Sequence, residues 1–262
     1  MKKLMLTLFC TQQTLVLCAQ SLLAPLGKDN AGGSYSRHFQ DVFTAAYSPA
    51  GLSCIAHFSA GAYAERRFML AAIPLYALSV AVPARSGAFG AGVVRAGNSF
   101  YYQQRVSSAY GRTIGKRAGI GVQFNYITET LRGYGARDNF SFDLGVLFHI
   151  SEKVHAGAVL SRTADRQLDY SVGVGFEASR DCLLSSSLVK AGGEPAWVKV
   201  AAYYKIVPRL ALQLGVATQP PYNNAAVVLQ LRTFRLITGA GFHPQLGITP
   251  STAIIWQQAS AE

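Results

Sequence analysis

The sequence predicts an all-β chain: an antiparallel transmembrane β-barrel of about fourteen strands, with about twelve as the alternative, entered through a short N-terminal plug segment. Three observations carry this. Apolar and polar residues alternate in runs of roughly ten, the length of a tilted membrane-crossing strand. Only 14% of the residues are charged and 50% are hydrophobic, where a soluble domain carries roughly 25% charged residues. Turn signals recur at intervals that fit two such strands and a loop. A soluble sandwich shares the alternation, but its outer face is usually rich in Lys, Glu and Thr. Here the second face is small and polar.

Residues 1–19 read as a signal peptide. Lys2 and Lys3 form the basic start, and Leu4 to Phe9 with Leu15 to Leu17 the apolar stretch, interrupted by Thr11 to Thr14. Cys18 and Ala19 precede the expected cleavage before Gln20. An acylated Cys18 is the alternative, with Leu17 where a small residue is expected. Cleavage leaves Cys54 and Cys182, too few and too distant for a disulfide framework. Both read as unbridged, small apolar wall residues.

Loss of Lys2 and Lys3 takes the formal charge from +11 to +9. The cations are spread along the chain, many beside turns, with no basic helix or aromatic-basic platform. That distribution excludes nucleic acid as the expected partner and points to acidic lipid or anionic solutes.

Residues 20–51 form the lead-in. Ser21 to Gln40 is polar and irregular, and Phe39 to Ala46 fits a short helix that Pro49 ends. Residues 52–262 form the barrel. Its first hairpin, Leu52 to Val82, breaks at Glu65-Arg66-Arg67. Phe68 to Val82 is nearly all apolar. Pro74 and a length below the roughly twenty residues of a membrane helix favour a strand, with a bulge or bend at the proline.

The alternation is clearest in Ala118 to Thr128, Phe140 to Ile150 and Leu168 to Ala178. In the second of these, Phe140, Phe142, Leu144, Val146, Phe148 and Ile150 oppose Ser141, Asp143, Gly145, Leu147 and His149. Short charged or Pro-bearing turns fall at Pro83 to Arg85, Gly115 to Arg117, Ser151 to Lys153, Arg180-Asp181, Val207 to Arg209 and Arg232-Thr233. These are assigned to the periplasmic side. The alternate breaks are Gly97-Asn98, Gly133 to Gly135, Thr163 to Arg166, Gly192 to Pro195, Gln219 to Pro221 and His243-Pro244, assigned to the extracellular side. Tyr101, Tyr102, Tyr126, Tyr134, Trp197, Tyr203, Tyr204 and Trp256 sit near segment ends, as interfacial aromatics do.

Asp143, Asp169 and Glu177 fall on the lumen face, with Arg105 on a neighbouring one. Buried charges need partners, and acid-base pairing across the lumen would supply them. A filled, rigid barrel is favoured over a selective solute path. No nucleotide loop, zinc spacing or nucleophile elbow is present, so neither enzyme activity, a metal nor a cofactor is expected. His57 and His149 are the histidines that strand pairing would bring near a serine; the preferred reading is wall histidines.

Around Ser48-Pro49-Ala50-Gly51-Leu52 the chain resembles the FadL/PorV-type outer-membrane barrels. Asp41, Phe43 and Tyr47 match the family lead-in, and Gly32-Gly33-Ser34 resembles its upstream element. Ala109 to Gly111, Gly115 to Arg117, Gly121-Val122 and Pro244 to Gly247 are similar to later parts of the family pattern. Ser48 stands where the family usually has Asn, and the chain is shorter, so its loops must be reduced. The Cys18-Ala19-Gln20 leader end is similar to those of Bacteroidetes exports. The resemblance implies an outer-membrane location and favours a PorV/PorQ-type accessory or shuttle for type IX secretion, with secretion-system proteins or exported cargo as partners. It leaves open a FadL-like channel for hydrophobic small molecules and a structural barrel without transport.

Overall fold

The computed structural model describes residues 23–25, 33–162, 168–219 and 221–258. Among them, fourteen strands form one closed antiparallel barrel. They are β1 (Ser59–Arg66), β2 (Pro74–Ala84), β3 (Gly87–Gly97), β4 (Tyr101–Ile114), β5 (Ala118–Leu131), β6 (Gly135–His149) and β7 (Val154–Arg162), followed by β8 (Leu168–Ser179), β9 (Cys182–Lys190), β10 (Trp197–Val207), β11 (Leu210–Thr218), β12 (Pro221–Leu231), β13 (Phe234–His243) and β14 (Gly247–Gln257). Each strand pairs with its sequence neighbours, and β14 closes on β1 through Ser59↔Gln257 to Glu65↔Ser251. Closure leaves no edge strand, which a chain in lipid requires because water cannot satisfy a free edge. The expected leader lies outside the described residues, as does the break at 163–166, although Arg162↔Leu168 pair beside it.

The end at which β1 begins and β14 finishes, here the terminal end, also holds the turns near Arg85, Lys116, Lys153, Arg180, Arg209 and Arg232. The expected alternate breaks that are described fall at the opposite, far end. The outer face is apolar along its length. Leu78, Phe89, Phe124, Phe140, Val172 and Leu214 all point outward and are exposed. The lumen face of the same strands carries Ala, Gly, Ser, Asn and Gln, with scattered Leu, Val and Ile. The buried core is therefore the lumen, built from inward wall residues such as Leu75, Val94, Val228 and Ile237 against Leu23, Val42, Phe43 and Leu52.

Several elements differ from expectation. The wall begins at Ser59 rather than Leu52, because Pro49–Cys54 coils into a 3₁₀ turn that carries Leu52 into the lumen. Phe39 to Ala46 holds only a 3₁₀ turn, Thr44–Ala46. Asp41 Oδ1 accepts from the Phe43 amide (2.9 Å) and Thr44 Oγ1 from the Asp41 amide (3.0 Å), local bonds that compete with a helix. Pro74 needs no bulge, since it opens β2 opposite Arg66 where its missing donor costs least. Residues 68–73 therefore belong to a loop. Tyr101 and Tyr203 face the lumen, bonding Glu129 and stacking on Phe39 respectively. Cys54 lies in the plug rather than the wall. Both described cysteines are free, as expected.

Candidate functional site

The described residues between 23 and 58 lie in the lumen or at its mouth. Their seat is made by inward glycines in register. Gly111 pairs Gly121 and Gly121 pairs Gly145, giving a flat floor across β4, β5 and β6. A Cβ at Gly121 would collide with the backbone of Pro49 and Ala50. A second floor is made by Gly157 and Gly173, in register on β7 and β8, where the Tyr35 ring lies. A Cβ at neighbouring Gly175 would overlap the Tyr35 carbonyl. Tyr35 Oη also bonds Ser171 (3.1 Å). Leu52 packs over Gly90 on β3, and Val42 and Phe43 over Gly61 on β1. The Phe43 and Tyr63 rings meet edge-on at 6.2 Å.

The Asp41 to Leu52 block is thus the body of the plug. Ser48, buried, donates its amide to Thr44 O (2.8 Å) and accepts at its carbonyl from Gly51 (3.0 Å). Gly51 packs against Thr44 and Gln40. Tyr47 donates to the Pro25 carbonyl (3.4 Å). Arg67, in the β1–β2 loop at the far end, donates to the Ala24 carbonyl and pairs with Glu65 at 2.9 Å, while Tyr63 Oη donates to the second Glu65 oxygen (2.6 Å). The segment therefore reaches from the terminal end toward the far end.

A chain of polar side chains ties plug to wall at the terminal end. Glu177 accepts from the Arg37 amide (2.5 Å) and the His38 amide (3.2 Å), and its other oxygen meets His38 Nδ1 at 2.6 Å. His155 Nε2 lies 3.2 Å from Glu177. His155 Nδ1 and His149 Nδ1 are 2.9 Å apart, and His149 Nε2 is 3.8 Å from Cys54 Sγ. The close Nδ1 contact needs one ring to donate and the other to accept. One orientation satisfies the cysteine and the first imidazole, Cys54 donating to His149 and His149 to His155, while His155 Nε2 lies near Glu177 without hydrogen-bond geometry. Burial pushes the Cys54 thiol up, with Ser53 and Arg37 opposing more weakly, so it rests as a thiol. His149 thus meets a cysteine and a histidine rather than the serine considered for it. The pair was legible in part: His149 and His155 are cross-strand partners beside one turn. The participation of Cys54 and His38 depends on how the plug folds back.

The four predicted lumen charges do not form one ladder. Asp143 centres a network, accepting from Asn125 (2.7 Å), Gln123 (3.3 Å) and Ser161. Arg105, its Nε sealed from solvent, lies within electrostatic reach of Asp143. Asp169 accepts the Gly192 amide (2.8 Å) at the far end. Glu177 belongs to the plug chain.

The plug lies against β1 and β3 to β9, and beside it on the β10 to β13 side a cavity of about 270 Å³ remains. Its apolar lining is Phe39, Phe43, Tyr203, Leu210, Ala211 and Val228, with Phe39 and Tyr203 edge-on at 5.1 Å. Toward the terminal end it is rimmed by Arg180, Lys205, Arg209 and Arg235. Lys205 is paired with Asp181 at 2.7 Å and Arg235 bonds Gln230 at 3.1 Å.

No family model matches the chain, and no curated protein matches it. Solved structures share its fold. A TodX monoaromatic hydrocarbon channel carrying the deltaS2 change superposes with a TM-score of 0.72 at 9% identity, over 92% of this chain and 100% of that one. The toluene transporter TbuX of Ralstonia pickettii gives 0.67 at 11% identity, over 90% and 97%. A FadL homologue of Pseudomonas aeruginosa gives 0.61 at 10%, over 90% and 96%. None of the three is named as a secretion component. At these identities the likeness is one of fold, and the fold is that of the FadL-type barrels.

Proposed function

We propose that this protein is an outer-membrane channel for hydrophobic small molecules, exported by cleavage of residues 1–19 and oriented with its terminal end in the periplasm. The observation that carries the reading is the cavity beside the plug. A lumen packed solid against residues 33–58 would have left no route. Instead the plug lies against β1 and β3 to β9 and leaves a recess against β10 to β13 with an aromatic and aliphatic wall among polar groups. The recess is mixed: Asp41, Thr44, Gln213 and Gln230 also line it, and its aromatic and aliphatic wall is where a small hydrocarbon gains by leaving water. The fold-level likeness to hydrocarbon channels supports the same reading over the secretion role that the leader end favours, and no catalytic role is proposed. Glu177, Asp143 and Arg105 act structurally, in seating the plug and filling the β4 to β7 side of the lumen.

The test is uptake of labelled toluene by cells with an intact outer membrane that lack hydrocarbon channels of their own. Expression of this protein is expected to raise the initial rate above that of cells expressing an unrelated barrel. Equal rates, with the protein folded in the membrane, would refute the reading.

A further inference from the structure

Each of the six hairpin turns at the terminal end carries an exposed cation: Arg85, Lys116 with Arg117, Lys153, Arg180, Arg209 and Arg232. The acids of these turns, Glu152 and Asp181, are engaged by Arg37 (3.8 Å) and Lys205 (2.7 Å). Among the described residues none of the seven turn cations is in an ion pair. The far end has no such pattern. Asn98 to Phe100 and Pro244 to Leu246 hold no cation, Arg67 is buried against Glu65, and exposed cations stand only at some far-end turns, as Arg66 and Arg132 do. The turn cations also sit directly at the edge of the apolar outer face. Val82, Ile114, Ile150, Phe176, Val207 and Leu231, each within a few residues of its turn, are all exposed large hydrophobics.

We infer that this ring binds the anionic phospholipid headgroups of the leaflet at the terminal end, through their phosphodiesters. The inference rests on the membrane placement proposed above, not on the hydrocarbon cargo. The geometry selects lipid over an acidic protein. A protein would meet one sector or the end face, whereas the cations occur at every hairpin around the circumference, Arg180 and Arg209 also bordering the cavity mouth. The apolar surface they border has only acyl chains to cover it, so the flanking side chains lie at headgroup depth. There the aliphatic stems of Lys and Arg rest on apolar surface while their charged heads reach the phosphates. The ring would fix depth and sidedness, with the far end free of the same demand.

The test is the lipid retained by the mature protein in lipid discs of phosphatidylethanolamine with a minor fraction of phosphatidylglycerol, counted by native mass spectrometry. Phosphatidylglycerol is expected to be enriched in the retained lipid on the order of fivefold per engaged cation at low salt, and less so at high salt. Replacing the seven turn cations by Gln should abolish the enrichment, and replacing them by Lys or Arg, charge retained, should keep it. Neutralising the far-end cations Arg66, Arg132 and Arg137 should leave it unchanged. Insertion without enrichment, or enrichment that survives the Gln set, would overturn the ring as a lipid site. A protein that does not enter discs at all would overturn the membrane placement beneath it. If the Gln set does not fold, loss of enrichment in single-turn variants, graded with the number of charges removed, tests the same point.

Discussion

Glu177 is the residue on which the plug's attachment turns. Two backbone amides and the His38 imidazole converge on one carboxylate, with His155 close by, and hydrogen bonds to a charged group are worth about 1.5–3 kcal/mol each in context. Glu177→Gln keeps the shape and removes the charge, so the plug should loosen while the wall stays closed. Cys54 reports this: its thiol, pushed up by burial, should alkylate slowly in the native protein and clearly faster in Glu177→Gln, with Cys182 as the internal control. Unchanged Cys54 kinetics would remove Glu177 from the attachment. Asp143 plays a different part, as the acceptor of a buried network whose nearby cation is Arg105. Asp143→Ala strands donors and a buried charge and should cost about 3 kcal/mol in urea unfolding from lipid vesicles, whereas Arg105→Met should cost less, because it removes a buried guanidinium whose Nε has no partner and leaves Asp143 its three side-chain donors. Equal costs would place the two in one obligatory pair.

The glycine floors are the elements that decide where the plug sits. Gly121→Val introduces atoms where Pro49 and Ala50 lie, and overpacking of this kind costs about 1–3 kcal/mol. β4, β5 and β6 are continuously paired without help from the plug. The expected outcome is therefore a closed, protease-resistant barrel whose residues 33–58 become cleavable. A plug as protected as in the native protein would contradict the floor. The wall elements were legible in the sequence because period-two alternation and turn chemistry are local signals. Strand number and described turns follow from residues such as Phe140 to Ile150 and Arg180-Asp181 alone. The plug was legible as a unit, through Pro49 to Leu52, but not in its conformation. Pro49–Cys54 is seated on Gly121 and Gly90, and Arg37 and His38 on Glu177, all distant in sequence. The dispersed glycines were visible as small lumen residues; that they line up as Gly111, Gly121 and Gly145 requires the register. Pro74 misled in the opposite direction, because a proline reads as a bulge until the strand's first residue is known.

Across the molecule, an apolar outer face, a closed wall and an off-centre plug leave a recess against β10 to β13. In the proposed function hydrocarbon passes through this recess. Ala211 and Leu212 are consecutive on β11 and point to opposite faces: Ala211 lines the cavity and is buried, Leu212 faces outward. Adding the same bulk to each separates lumen from wall without changing the strand. Initial uptake of labelled toluene, normalised to folded protein in the membrane, is the deciding measurement. Ala211→Phe should bring the rate down to that of cells without the protein, and Leu212→Phe should leave it at the native level. Native uptake through Ala211→Phe would contradict a route beside the plug.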